Sequence, residues 1–247
     1  MNRTPLDVAV NLLWLAPGRV GGSEEYLVRQ LLGLQADGLV ADDIALTLYV
    51  QPTFITAHPD LAARLRTVAG PLPRDWRALR IAAEHTWLSQ RTRRATVIHH
   101  GGGTIPVVGG RRRTVLTVHD LQYLTFPQYF GASRLAYLRA TMPGSIRRAT
   151  IVATPSAYVR GRVVEAFGYD PDRVVVVPHG VPDGPRPAAD ELAEVWQRHA
   201  IRPPYVVYPA ITHPHKGHRV LIDFVRATSA PDHPLREVQL VLIGGAG

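Results

Sequence analysis

Val8-Ala-Val-Asn-Leu-Leu-Trp-Leu-Ala-Pro-Gly-Arg-Val-Gly-Gly-Ser-Glu-Glu25 is the stretch of the sequence that decides its fold. An apolar run of strand length ends in a glycine-containing turn, and a segment with leucines at helical spacing follows it. Ser23 is the predicted N-cap of this helix, because a serine oxygen accepts hydrogen bonds from first-turn N–H groups. A strand, a glycine turn and a helix in this order form the repeating unit of open parallel α/β sheets.

The same alternation of short apolar runs and helical segments continues along the rest of the chain. Runs that are so uniformly apolar are typical of strands covered on both faces. The predicted strands are Val8–Trp14, Ile44–Val50, Thr96–His99, Thr114–Val118, Thr150–Ala153, Val174–Val177, Tyr205–Tyr208 and Val238–Ile243. Besides the helix at Ser23, the predicted helices are Asp60–Arg66, Asp75–Arg93, Ser133–Arg148 with a kink or break at Pro143, Ser156–Phe167, Ala189–His199 and Gly217–Ala227. The pattern predicts an α/β fold with a Rossmann-like, doubly wound parallel sheet.

A proline- and glycine-rich segment at residues 178–187 predicts a domain boundary, because neither a helix nor a central strand tolerates it. We predict a first Rossmann-like domain at residues 1–180, a linker at 181–188 and a second Rossmann-like domain that starts at 189. Residues 189–247 contain only a strand, a helix and a strand beside a leading helix, which is too little to bury a core alone. We therefore expect this second domain to be incomplete in the chain.

The composition excludes several classes of protein. The chain has 247 residues with 46% hydrophobic and 19% charged, which excludes intrinsic disorder. The absence of cysteine excludes a disulfide scaffold, a thiol nucleophile and a cysteine-ligated metal site. The formal net charge is +8, and Lys216 is the single lysine among 28 basic residues. The arginines are spread along the chain, and the run Arg111–Arg113 has no interleaved aromatics, so we expect no nucleic-acid partner. Anionic small molecules or an anionic membrane surface explain the charge as well.

The N-terminal sequence predicts a cytoplasmic location. The apolar stretch Val8–Ala16 is interrupted by Asn11 and is far shorter than the roughly 20 residues of a membrane-spanning helix. No basic segment with a cleavage site marks a secretory signal.

Two predicted strands end in residues that are able to bind a ligand at the carboxyl edge of the sheet. After the first, Gly21 and Gly22 allow a phosphate to approach backbone N–H groups, although an ordinary flexible loop fits the glycines equally well. Glu24 and Glu25 would repel an anion at the helix tip and suit the recognition of hydroxyl groups. After another strand come His119 and Asp120, which fit either a hydrogen-bonded strand end or a catalytic pair.

Two further segments contain residues that are able to bind a metal ion or a diphosphate. His99 and His100 precede three glycines, and a metal cluster with His119 and Asp120 stays an alternative that no helical His spacing supports. The loop from Tyr208 to His218 contains Lys216 and three histidines and opens a helix. Such a cationic loop fits a diphosphate, and it also fits a solvated polar loop.

Together these loops resemble the retaining glycosyltransferases of the GT-B fold, family 4. The resemblance covers nearly the whole chain, and its last loop is similar to a subgroup linked to mannosyl transfer in surface polysaccharides. The motifs that carry it are Gly21-Gly22-Ser23-Glu24, His119-Asp120-Leu121, Phe126-Pro127, Arg148-Ala149, Thr154-Pro155-Ser156, Val176-Val177-Pro178-His179-Gly180-Val181 and Pro214-His215-Lys216-Gly217.

The resemblance implies an enzyme that transfers a hexosyl group, mannosyl in the similar subgroup, from a nucleotide-sugar donor to a glycan or lipid-linked acceptor with retention. It suggests GDP-mannose as the donor and implies no cofactor and no metal. By analogy, His119 is catalytic and contacts the transferred sugar, and Lys216 neutralises the leaving diphosphate. The other donor-binding residues that it implies are Gly21, Gly22, Ser23, Asp120 and His215.

The sequence departs from the family pattern in two places. Ile211 stands where family members commonly carry an arginine, so that diphosphate contact is either missing or supplied by His213, His215 or Arg219. The paired glutamates that hold the nucleotide ribose and the sugar would lie beyond Gly247, so the resemblance implies a truncated donor domain, and the chain alone is expected to be impaired or inactive.

Two alternatives stay open beside the transferase. One is a non-catalytic Rossmann-like binding module completed by a partner chain. The other is a nucleotide-sugar epimerase of the same fold, for which the sequence offers no set of acid/base carboxylates. A basic amphipathic segment, Arg134 to Arg148, predicts peripheral contact with the anionic inner face of a membrane, or else a solvated helix face.

Overall fold

The structure is a computed structural model that describes residues 5–36, 43–72, 77–107, 112–181, 184 and 186–245. The chain divides into two compact units, Met1–Val181 and Pro182–Gly247. Several residues of the sequence predictions lie outside the described residues, namely Asp75, Arg111 and, in the predicted linker, Pro182, Asp183 and Pro185.

The first unit contains a parallel sheet of seven strands. Its strands are β1 (Leu6–Leu12), β2 (Ile44–Val50), β3 (Arg66–Ala69), β4 (Val97–His100), β5 (Arg113–Thr117), β6 (Ile151–Thr154) and β7 (Val174–Val176). The spatial order is β3-β2-β1-β4-β5-β6-β7, and every neighbouring pair is parallel. This is the order of the Rossmann fold extended by one strand. The predicted fold class is therefore confirmed, and the strand order reverses between β1 and β4.

Helices connect these strands and cover the sheet. They are α1 (Gly22–Ala36), α2 (Pro52–Ala57), α3 (Pro59–Arg64), α4 (Arg77–Ala83), α5 (Ser89–Arg91), α6 (Gln122–Thr125), α7 (Ala132–Arg148) and α8 (Ala157–Phe167). One wide π-helical turn, Glu84–Leu88, joins α4 to α5. Such turns are rare inside helices and often occur near functional sites.

Alternate residues of β1 supply the cores on the two faces of the sheet. Val10 and Leu12 pack with Tyr26 and Leu31 of α1. Their neighbours Ala9 and Leu13 belong to a second cluster with the helical segment 77–91 on the opposite face. A third cluster joins β5 and β6 to α7 and α8. Burial on both faces explains why these strands read as continuous apolar runs.

The second unit is smaller and buries little. It contains α9 (Ala189–Arg198), β8 (Tyr205–Pro209), α10 (His218–Thr228) and β9 (Gln239–Ile243), and β8 and β9 pair in parallel. Among its described residues only Thr228 is buried. Apolar side chains such as Val207 and Phe224 stay largely exposed.

Most helix ends lie within two residues of the predictions, and three predictions about the helices are wrong. Helix α1 begins at Gly22, so Ser23 lies in the first turn and the predicted N-cap there is wrong. Helix α7 continues across Pro143, so the predicted break does not occur. The helix predicted at Asp60–Arg66 ends at Arg64, because the chain enters β3 at Arg66.

Candidate functional site

A cleft opens at the carboxyl edge of the first unit's sheet, next to the point where the strand order reverses. Its volume is about 480 Å³, and its walls come from the loops after β1, β4 and β5 and from α4 and α7. Ligands of open α/β sheets bind in such a crevice. The cleft brings together three of the residues predicted from the sequence: Ser23, His119 and Asp120.

His119 is held in one orientation by its neighbours. Its Nε2 lies 2.9 Å from the carbonyl oxygen of Gly101, so this nitrogen carries the proton and donates it. The ring lies 5.7 Å from the Trp14 ring and 5.4 Å from the Tyr26 ring, centroid to centroid. Burial lowers the pKa of His119, so the imidazole is neutral near pH 7. Nδ1 is therefore left as an acceptor of hydrogen bonds.

Gly21 and Gly22 lie beside Ser23 at the start of α1. Gly21 has a φ of +60°, a left-handed backbone that side chains rarely adopt. A Cβ at either glycine would meet no atom within 4 Å. Among the described residues no atom therefore crowds the position of a side chain at either glycine. Asp120, for its part, uses Oδ1 to accept the N–H of Gln122 at 3.0 Å.

Both carboxylate oxygens of Glu24, which the sequence suggests for hydroxyl recognition, make contacts within the protein. Its two oxygens accept from the N–H of Gly18 and contact Nε2 of His58, each at 2.8 Å. Both contacts are internal, and they tie the loop after β1 to α1 and to the start of α3. Glu25 pairs with Arg29 one turn later on the same helix.

A buried polar network lies beneath the cleft and was not predicted. The Asn11 side-chain nitrogen lies 3.3 Å from Oε1 of Glu84 and 3.2 Å from Nδ1 of His100, while its oxygen accepts the N–H of Leu13. Since Asn11 donates to Nδ1, His100 carries its proton on Nε2. Burial raises the pKa of Glu84 and lowers the pKa of His100 to about 3.

His99 and His100 point to separate partners. Nε2 of His99 lies 2.7 Å from the Thr117 hydroxyl, and burial lowers the pKa of His99 to about 4. Within the described ranges, no three His, Asp or Glu side chains are grouped as a metal site would require.

Arginines and aromatic residues form much of the cleft wall, and sequence reasoning missed them. The arginines are Arg19, Arg77, Arg80 and Arg134, and the aromatic residues are Trp14, Tyr123, Phe130 and Tyr137. The spacing of Arg77, Arg80 and Glu84 places them on one helix face. The local sequence does not indicate that this helix face lines the same cleft as His119, because that arrangement depends on the packing of segments distant in sequence.

His215 and Lys216 lie in the second unit, in a short 3₁₀ turn, Pro214–Lys216, between β8 and α10. The Tyr208 hydroxyl donates to the Lys216 carbonyl at 2.6 Å and fixes the turn. The side chains of both residues are exposed. Close by, the ring nitrogens of His218 are buried without a hydrogen-bond partner among the described residues. The turn therefore places Lys216 two residues before the unpartnered ring nitrogens of His218, at the start of α10.

The apolar side of α7 faces the protein core. Leu135, Leu138, Met142 and Ile146 pack in the cluster with β5 and β6. The exposed residues of this helix are its arginines, such as Arg139 and Arg147, with one serine and three alanines, so any membrane contact would depend on the arginines. Across the described parts of the chain, no helix is both long and apolar enough to span a bilayer.

Comparison with known proteins identifies the family. The model of Glycosyltransferase Family 4 matches residues 20–185. The O-antigen chain mannosyltransferase B of Escherichia coli is 27% identical over 112 residues, which are 44% of this chain and 29% of that protein.

Solved structures show the same fold. The crystal structure of HepE from Anabaena in complex with UDP and glucose superposes with a TM-score of 0.67 at 18% identity, over 98% of this chain and 62% of that chain. A glycosyltransferase from Rickettsia africae gives a TM-score of 0.59 at 13% identity, over 96% of this chain and 68% of that chain. The chain thus spans less than two thirds of the HepE structure.

The fold and the cleft define a Rossmann-like α/β protein of the GT-B class. More specifically, the chain belongs to glycosyltransferase family 4.

Proposed function

We propose that this chain takes part in the transfer of a hexosyl group from a nucleotide-sugar donor to a glycan or lipid-linked acceptor. One observation carries the proposal beyond family membership: a neutral, fixed His119 lines the cleft at the switch point of the sheet. The known relatives indicate the substrates, since one is an O-antigen mannosyltransferase and another binds UDP and glucose.

In the proposed reaction the bond from the anomeric carbon to the diphosphate breaks, and a bond to the acceptor oxygen forms. The proton of the acceptor hydroxyl passes to the oxygen of the departing diphosphate, and the positive charge that a metal ion would supply to the diphosphate is proposed to come from Lys216. Nδ1 of His119 accepts a hydrogen bond from a hydroxyl of the transferred sugar and positions it, since Nε2 is already committed to Gly101. Ser23, Asp120 and the open backbone at Gly21 and Gly22 complete the sugar side of the site.

The leaving diphosphate is proposed to bind Lys216, His215 and the start of α10. A fixed ammonium group stabilises the charge that develops as the glycosidic bond breaks. The unused ring nitrogens of His218 favour an anion near this turn, because buried polar groups normally have partners. Donor sugar and nucleotide are proposed as mannose and GDP, with UDP-glucose as the competing donor.

The first prediction tests the donor site. Lys216→Ala should weaken nucleotide-sugar binding by about 10-fold or more, because charge-assisted contacts contribute roughly 1.5–3 kcal/mol. Calorimetry with GDP-mannose and with UDP-glucose measures the affinity and identifies the donor. The matched control is Arg226→Ala, which removes an exposed cation at the end of α10. If a donor binds and Lys216→Ala binds it as tightly as the wild type does, the proposed role of Lys216 is wrong.

Retention is tested on the product. The proposal expects the new glycosidic bond to keep the anomeric configuration of the donor, and the proton coupling constants of the product measure it by NMR. An inverted product would remove retention from the proposal and leave the donor assignment intact.

The remaining proposals concern the acceptor and the location of the protein. A lipid-linked acceptor would bring the exposed arginines of α7 to an anionic cytoplasmic membrane surface, by charge alone. The apolar residues of that helix pack in the protein core, so they are not expected to insert into the membrane. Sedimentation with anionic and with neutral vesicles at two salt concentrations tests this contact.

A further inference from the structure

The positive charge of the cleft in the first unit is concentrated on one side. Arg77 and Arg80 lie three residues apart on α4, and Arg134 lies in the first turn of α7. All three line the same cleft as His119. Arg77 and Arg80 both lower the pKa of Arg134, after burial itself, which places the three guanidinium groups within electrostatic reach of one another.

The four arginines that line the cleft outnumber its two carboxylates, Asp120 and Glu84, among the described residues. Asp120 opposes Arg134 but also accepts a hydrogen bond from its own loop. Glu84 is 5% exposed; burial raises its pKa, and the charge of Arg80 partly offsets that effect. A cleft with clustered cations and low-dielectric walls attracts anions strongly.

Two residues that line the cleft have a buried donor atom: Nε of Arg80 and Nε1 of Trp14 have no hydrogen-bond partner among the described residues. Nε1 of Trp14 lies next to the backbone of Gly101. Most buried donors in proteins are satisfied, so the unpartnered guanidinium nitrogen of Arg80 favours an acceptor atom supplied by a ligand. Trp14, Tyr123 and Phe130 add flat apolar walls that suit a ring beside the anionic group.

We propose that the acceptor is a phosphorylated sugar whose phosphate binds Arg80 and Arg134, assisted by Arg77, while its ring lies between the aromatic walls. Guanidinium groups suit this role because they bind phosphate oxygens through paired N–H donors. The inference rests on the proposed function, since it names the acceptor class of the same cleft. The phosphate comes either from a soluble sugar phosphate or from a phospholipid headgroup that carries the sugar.

Calorimetry at low salt with glucose 1-phosphate, glucose and inorganic phosphate tests the inference. Glucose 1-phosphate should bind more tightly than either fragment. Arg80→Gln and Arg134→Gln should each weaken its binding by about 10-fold to 100-fold. Arg162→Gln changes a partly buried arginine on α8 that pairs with Glu165 and does not line the cleft, so it should leave the affinity unchanged. Arg80→Lys is the conservative variant: it keeps the charge and the aliphatic stem but loses the paired donors. Weaker binding in this variant would be due to the lost donors and not to misfolding.

Vesicles separate the two sources of phosphate. Sedimentation with phosphatidylcholine vesicles that contain phosphatidylinositol is compared for the wild type and Arg134→Gln. Binding of either probe that depends on Arg80 and Arg134 supports the inference, and the probe that binds identifies the source. Equal affinity for glucose and glucose 1-phosphate, or unchanged binding in both glutamine variants, overturns it.

Parallel titration with the nucleotide sugars keeps the two proposals apart. If GDP-mannose or UDP-glucose binds through Lys216 and neither phosphorylated probe binds, the proposed function stands and the acceptor inference fails. If Arg80→Gln and Arg134→Gln weaken nucleotide-sugar binding instead, these arginines serve the donor, and the inference is again overturned.

Discussion

At the scale of single residues, Asn11 shows how one polar side chain in an apolar strand organises the floor of the cleft. Its nitrogen donates to Glu84 and to His100, and its oxygen accepts from Leu13, so each of its polar atoms has a partner. Two of these partners lie 73 and 89 residues away in sequence. The sequence shows only an interruption in the apolar run, because partners at such distances are set by the folded sheet.

The buried histidines predict a loss of stability in acid. His100 has a folded pKa of about 3 against a usual value of 6.5, so the unfolded chain binds its proton first. Stability should therefore fall as the pH drops from 7 towards 3, by up to about 2 kcal/mol at pH 5 from this residue. His99 acts in the same direction. Urea unfolding at pH 7 and pH 5 measures the change.

His100→Gln isolates this effect, since glutamine keeps an acceptor for Asn11 but does not titrate. The cost of the substitution in packing is present at both pH values and cancels in the difference. Glu84 works in the opposite sense, because its raised pKa adds stability as the pH falls. An equal loss on acidification in the wild type and the variant would contradict the prediction for His100.

At the scale of elements, the strands are the best predicted part of the fold. Every predicted strand exists, with ends displaced by at most two residues. In the first unit burial on both faces produces a clear apolar run, and β8 and β9 show the same apolar run although their side chains are partly exposed here. β3 was missed, since an edge strand pairs only with β2 and its sequence, Arg66-Thr-Val-Ala, shows no such run. The helices α2 and α6 were missed because each is too short for a periodic pattern.

The site was predicted only in part, because the sequence shows where strands end but not how the helices pack over the sheet. His119 and Asp120 follow a buried strand, so their place at the sheet edge follows from the alternation of elements. The cleft arginines project from α4 and α7, whose approach to that edge depends on the packing of helices over the sheet. Local patterns do not encode that approach.

Pro143 lies inside the continuous helix α7, where a proline is expected to reduce stability. A proline in a continuous helix removes the hydrogen bond to the residue four positions earlier and crowds that carbonyl. Pro143→Ala should therefore raise the free energy of unfolding by about 1–3 kcal/mol, less the roughly 0.5–1 kcal/mol by which proline restricts the unfolded chain. Chemical denaturation measures the change.

Gly144→Ala is the matched control for helix propensity. A Cβ there meets only the Arg148 guanidinium at 3.8 Å, which is ordinary contact. It should stabilise the protein by up to about 1 kcal/mol without restoring a hydrogen bond. If Pro143→Ala stabilises no more than this control, the proline is accommodated without the expected cost.

At the scale of the whole molecule, the two units differ in how much apolar surface they bury. In the first unit β1 and β2 supply residues to two packed clusters, one on each face of the sheet, and Leu48 is fully buried. In the second unit Val207 of β8 is 42% exposed and Ile243 of β9 is 55% exposed. Burial of apolar area is the main favourable term in folding, so the second unit is expected to have the smaller free energy of unfolding.

This difference predicts that the second unit opens at a lower free energy than the first. Amide hydrogens of β8 and β9 should exchange much faster than those of β1 and β2, because local opening is governed by the packing of each unit. A matched pair of substitutions sharpens the test. Leu48→Asp should unfold the first unit, because it buries an unpaired charge, whereas Val207→Asp on a half-exposed strand should change stability by no more than roughly 1 kcal/mol. Equal protection in both sheets, or a large loss in Val207→Asp, would show that the second unit is as firmly held as the first.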